Sequence, residues 1–133
     1  GAGKAGRSLD NFEFIVFFRS SVTDDYETVR ERYQRELFTY VMSPVYQKMF
    51  DREGYGDACT EIEQRWRAGD RAEALDAIPP ALIRDRTLIG STEEIASRMS
   101  DYEGMDTALV MPVATPGGDY VADTSRVIEA LVV

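Results

Sequence analysis

The chain has 133 residues, 44% of them hydrophobic and 29% charged, a composition that fits one globular domain, or part of one, and not a disordered segment. Its formal net charge of −9 speaks against nucleic acid and against an anionic membrane surface, since both require Lys and Arg, and a cytoplasmic protein is expected. One cysteine and no histidine exclude an internal disulfide, a Ser-His-Asp triad and His-ligated zinc within this chain.

No apolar run approaches the roughly 18 residues needed to span a bilayer. Phe14-Ile15-Val16-Phe17-Phe18 is too short, and no signal-peptide cleavage site follows it.

In chain order, residues 1–6 (GAGKAG) and then Arg7 to Asn11 read as loop. Residues 12–18 (FEFIVFF) are aromatic and β-branched, and they predict a buried strand that Arg19-Ser20-Ser21 leave at its C-terminal end. Thr23 or Asp24 can cap a helix running to about Met42. Its apolar face is Tyr26, Val29, Tyr33, Leu37 and Val41, at steps of three and four. Ser43-Pro44 starts another helix, with proline at its first position, and Gly54 stops it. Asp57 can cap a third, through Trp66 to Gly69, in which Cys59 is a packed residue. Asp70 with Glu73 suggests a capping box for a fourth, which Pro79-Pro80 breaks. Residues 81–85 predict a further short turn of helix, and Thr87-Leu88-Ile89 a short extended link.

The next junction is the firmest signal. Ser91 and Glu94 have the spacing of a capping box, in which each side chain satisfies a backbone N–H of the first turn. Ile95, Met99 and Tyr102 form one stripe, and Gly104 suits a left-handed helix stop. Thr107-Ala108-Leu109-Val110-Met111 then reads as a strand covered on both faces, as in a parallel sheet. Residues 112–119 are a loop, and Asp123 or Thr124 caps a final helix through Val127, Ile128 and Leu131. Two strands and about six helices are therefore expected. Two parallel strands alone leave apolar edges unpaired, so either helices wrap them or a partner supplies the missing strands.

Several stretches resemble the C-terminal part of the luciferase-like monooxygenase family, the flavin- or deazaflavin-dependent (β/α)8 oxidoreductases. Ala5-Gly6-Arg7-Ser8 with Phe12-Glu13-Phe14 is similar to the family's run into the seventh strand. Residues 40–46 (YVMSPVY), Trp66-Arg67-Ala68-Gly69-Asp70-Arg71 and Ile78-Pro79 resemble its helical insertion. Ile89-Gly90-Ser91-Thr92-Glu93-Glu94 resembles the segment before the last stretch of its seventh helix. Residues 105–112 (MDTALVMP) resemble its eighth strand, with Met105 where valine is commoner.

The resemblance implies an α/β fold: the last two strands of a TIM barrel with their helices, and a helical insertion at about 43–86. Residues 1–133 would be a single domain or part of one, since a whole barrel takes about 250 residues. It implies reduced flavin mononucleotide (FMN) or coenzyme F-420 as cofactor, with most of that site outside this chain, and a small-molecule substrate. The partner would be the N-terminal barrel or another copy of the chain, and the chain alone would be inactive. The alternative is a stand-alone module that binds or dimerises without catalysis.

On a barrel the chemistry lies at the C-terminal ends of the strands. The resemblance therefore points to Arg19 and Ser20 for cofactor and to Arg86, Pro112 and Tyr46 for substrate. Arg19 can pair with an anionic group or with a neighbouring acid. Arg84 and Arg86 face an anionic substrate or solvent. Tyr33, Phe38, Tyr40, Tyr46, Phe50 and Tyr55 cover a ring-shaped substrate or pack as core. Gly117-Gly118 lacks the spacing of a phosphate cradle. Asp24-Asp25 and Glu93-Glu94 suit helix N-termini, and their spacing suggests no metal.

Overall fold

The computed structural model describes residues 1–132. A 3-10 turn, Gly3–Ala5, precedes strand β1 (Ile15–Val22). Five helices follow: α1 (Tyr26–Val41), α2 (Pro44–Arg52), α3 (Gly56–Ala68), α4 (Arg71–Asp76) and α5 (Pro80–Arg84). Strand β2 (Thr87–Gly90), helix α6 (Thr92–Met99), strand β3 (Thr107–Pro112) and helix α7 (Tyr120–Leu131) complete the described chain. The fold is α/β, with one parallel sheet in the order β2-β1-β3.

Among the described residues there are three strands, not two. The expected link at residues 87–89 pairs with the C-terminal half of β1, Arg19 against Thr87 and Val22 against Gly90. Its β-branched residues suit an extended backbone. All four of its residues are buried, because Leu88 and Ile89 point to opposite faces and each meets a core.

β1 also begins and ends later than its apolar run. Arg19, Ser20 and Ser21 lie inside the strand, bonded to β2 on one side and, for Arg19 and Ser20, to β3 on the other. Backbone pairing on both sides outweighs the polar side chains there. Phe12 and Phe14 precede the strand; the Phe14 N–H donates to Asp106 Oδ2 at 2.8 Å.

Within this chain alone, neither apolar strand is covered on both faces. Phe18 is buried, but Ile15, Phe17, Leu109 and Met111 are exposed. In register, Phe17 sits beside Leu109 and Arg19 beside Met111, so these four share one face. α6 and α7 cover the opposite face, where Phe18, Leu88, Ile95 and Ala130 form a core with Tyr102 and Met105. Among the described residues no layer covers the lower part of the other face.

The helices between β1 and β2 carry a core of their own. Val29, Tyr33, Leu37 and Val41 of α1 meet Phe50, Cys59, Ile62, Leu82 and Ile83. This core reaches the sheet through Ile89 and Val113. It places α1 and α2 over the C-terminal end of β1.

Caps follow the sequence in part. The Ser91–Glu94 capping box forms in full. Asp25, one residue past the expected Thr23 or Asp24, caps α1 by accepting from the Thr28 N–H at 3.1 Å. Tyr55 takes the cap position of α3, with Asp57 in the first turn, and Asp70 makes no side-chain bond at α4. Asp119 caps α7, because Asp123 lies a turn inside and is buried.

Candidate functional site

A cavity of about 360 Å³ opens where the C-terminal half of β1 passes under α1 and α2. Phe17 and Arg19 form its floor, two residues apart on the same side of β1. Tyr33, Leu37 and Tyr40 come from α1, at the three- and four-residue steps that keep them on one helix face. Tyr46, Met49 and Phe50 come from α2 in the same way. Arg86, just before β2, closes the remaining side.

Each arginine is held. Arg19 Nη2 lies 3.5 Å from Glu36 Oε2, and its guanidinium stands 5.6 Å from the Phe17 ring centre. It also touches the Met111 sulfur. Arg86 pairs with Glu53 and stands 5.7 Å from the centre of the Phe50 ring. Tyr40 and Tyr46 meet edge to face at 4.8 Å. Burial pushes the Tyr33 phenol up to about 12, against the pull of Arg19 and Arg86, so it remains a proton donor at neutral pH.

Arg19, Tyr46 and Arg86 thus come together. Ser20 and Pro112 do not join them. Ser20 is in register with Leu88 and Pro112, on the face turned away from Arg19, and its hydroxyl is fully buried without a hydrogen-bond partner. The Ser21 hydroxyl is also buried and unpartnered. Met111, not Pro112, stands beside Arg19.

Of the aromatic set, Tyr33, Tyr40, Tyr46 and Phe50 line the cavity. Phe38 meets Trp66 in a tilted pair with ring centres 4.6 Å apart, and the Tyr55 hydroxyl donates to Asp85 at 2.9 Å. Phe17, Leu37, Met49 and Met111 escaped the reading of the sequence. The i, i+2 spacing of Phe17 and Arg19 was the available signal; the strand register that adds Met111 is not visible in sequence.

A larger groove, about 680 Å³, runs along the junction between β2 and α6. Arg84 and Arg98 line it together with Asp24, Glu93 and Glu94, so its charges offset one another. Arg98 donates to the Arg84 carbonyl at 2.6 Å. Ser91 and Glu94 already occupy backbone N–H groups at the start of α6, which leaves less there for an anion. Arg84 therefore belongs to a polar groove and Arg86 to the apolar cavity. Among the described residues no cluster of Cys, Asp and Glu could hold a metal ion. Cys59 is buried in the helical core, and desolvation, aided by Asp51, raises its thiol pKa, which disfavours the reactive thiolate.

A profile of the luciferase-like monooxygenase family matches residues 1–107, from the N-terminal turn to the first residue of β3. The chain belongs to the luciferase-like monooxygenase family. Within the curated proteins it is 25% identical over 134 aligned positions to a Mycobacterium tuberculosis protein named "Putative coenzyme F-420-dependent oxidoreductase". That alignment covers 96% of this chain and 37% of the relative, so the chain spans little more than a third of the relative's length. No solved structure matches the chain significantly. In this luciferase-like chain the matched region contains all the helices that roof the cavity and every strand residue but those after Thr107. No helix among the described residues is long and apolar enough to cross a membrane.

Proposed function

We propose that this chain forms the C-terminal part of a (β/α)8 oxidoreductase that works with reduced FMN or coenzyme F-420. In this reading β1 and β3 are consecutive barrel strands with α6 between them. β2 is a short addition beside the upper half of β1, and residues 43–86 are an insertion over the substrate. The single observation that carries the reading is the cavity beneath α1 and α2, continuous through Phe17 and Arg19 with an uncovered apolar sheet face. A closed barrel buries such a face inside.

The lining suits the substrate side of such a site. Flat aromatic and thioether side chains fit a ring system. A phosphate cradle is not among the cavity's residues, and the Gly117-Gly118 loop stands beside the carboxylate of Asp123. The phosphate end therefore falls to the N-terminal barrel. When bound, the coenzyme supplies the hydride or, as flavin, the reaction with oxygen. This chain's own contribution is to orient and to exclude water. α1 and α2 roof the site, Arg19 and Arg86 attract an anionic group, and Tyr33 keeps its proton to donate a hydrogen bond.

The test is coenzyme titration of the protein made from its complete reading frame, followed by absorbance and fluorescence. Saturable binding of one reduced coenzyme is expected. Binding of neither overturns the proposal. The open outer edge of β3 favours a second reading, a non-catalytic module that dimerises through that strand. A dimer in sedimentation that persists without coenzyme activity would support it.

A further inference from the structure

Two arginines, each paired with a glutamate outside the lining, face the cavity of an otherwise acidic protein. The chain carries −9 overall, yet among the described residues the charged groups lining this cavity are Arg19 and Arg86. Their carboxylate partners, Glu36 and Glu53, do not line it. The Arg19 pair is long at 3.5 Å and partly exposed, a geometry that contributes little and can be exchanged for another anion. The remaining lining is aromatic and aliphatic: Phe17 on the floor, and Tyr33, Tyr40, Tyr46, Phe50, Leu37 and Met49 around it.

We propose that the cavity takes a flat, apolar carboxylate, its ring against Tyr40, Tyr46 and Phe50 and its anionic group held by Arg19 and Arg86. Guanidinium groups suit this task because their planar donors match a carboxylate edge to edge. Tyr33 adds a neutral hydroxyl donor close enough to both arginines to feel their charge. A phosphate is the poorer occupant. It is more strongly hydrated, and the lining offers it neither a free helix N-terminus nor a glycine loop. The proposal rests on the reading that this cavity is the substrate side of the site.

The experiment is calorimetric titration of the protein from its complete reading frame, at neutral pH, with cinnamate and with its neutral amide, cinnamamide. Cinnamate is expected to bind about tenfold more tightly, the usual scale of one charge-assisted pair. Arg86→Met should reduce that preference to about threefold or less. Glu53→Gln frees Arg86 from its partner and should tighten cinnamate, so it decides the matter if the methionine variant does not fold. Equal affinity for acid and amide, no binding of the acid, or displacement of cinnamate by inorganic phosphate overturns the proposal. Coenzyme binding is measured on the same sample. Selective cinnamate binding without coenzyme keeps this inference and removes the oxidoreductase reading; coenzyme binding without selectivity does the reverse.

Discussion

Asp123 shows what a single side chain contributes here. It is buried in the first turns of α7, where it accepts from the Thr115 N–H at 3.2 Å and pairs with Arg126. Burial alone would raise its carboxyl pKa, but the Thr115 bonds and Arg126 together hold it below the ordinary value. A depressed folded pKa means stability that is present above the unfolded pKa, near 3.9, and lost as pH falls through the folded value. Asp123→Asn should therefore cost about 1–2 kcal/mol at neutral pH and flatten the acid limb of stability against pH. Urea melts across the acid range check both. Ser91 is the second case. Ser91→Ala removes the α6 cap and should cost about 1 kcal/mol in the same assay. Gly90→Ala should cost more. Its φ of +150° disfavours a side chain, and a Cβ would lie 2.5 Å from the Glu94 carboxylate that completes the box. The Ser91 box was readable because both partners lie within four residues. The place of Asp123 was not, since its partner Thr115 lies in a loop with no pattern of its own.

Among the elements, α6 and β2 divide the work of the sheet. Ile95 of α6 is fully buried against Phe18 and Leu88. Ile95→Ala should cost about 2–5 kcal/mol, read as a drop in the urea midpoint at unchanged slope. Helix positions were legible because their apolar steps repeat over several turns, as in α1 at Val29, Tyr33, Leu37 and Val41. The strands were legible as segments but not as a sheet. β2 has only four residues, too few to show a period, and its status depends on pairing with Arg19 to Val22. The same gap hid the split of the candidate site. Arg19 and Ser20 are neighbours in sequence, yet a strand sends them to opposite faces once its bounds are known.

At the scale of the chain, among the described residues, an apolar face stays uncovered. Ile15, Phe17, Leu109 and Met111 are all exposed on one side of the β1–β3 pair. The 133-residue chain alone should therefore bind 1-anilinonaphthalene-8-sulfonate and self-associate. Leu109→Lys should weaken both, measured by dye fluorescence and sedimentation; unchanged sedimentation would mean that this face takes no part. Composition could not foretell the open face. A run such as Thr107 to Met111 looks the same whether its cover comes from this chain or from another segment.

The pairing of β1 with β3 has a consequence for how the protein is made. Phe14 and Asp106, which bond across that pair, are 92 residues apart. At translation rates of about 5–20 residues per second, β1 leaves the ribosome roughly 5–20 s before its neighbour exists. During that interval the newborn segment carries Phe12, Phe14, Phe17 and Phe18, with only the helices that follow it and the four residues of β2 as company. It is the stretch that a chaperone would be expected to grasp first, and slowing translation between β1 and β3 should send more of the product into inclusion bodies.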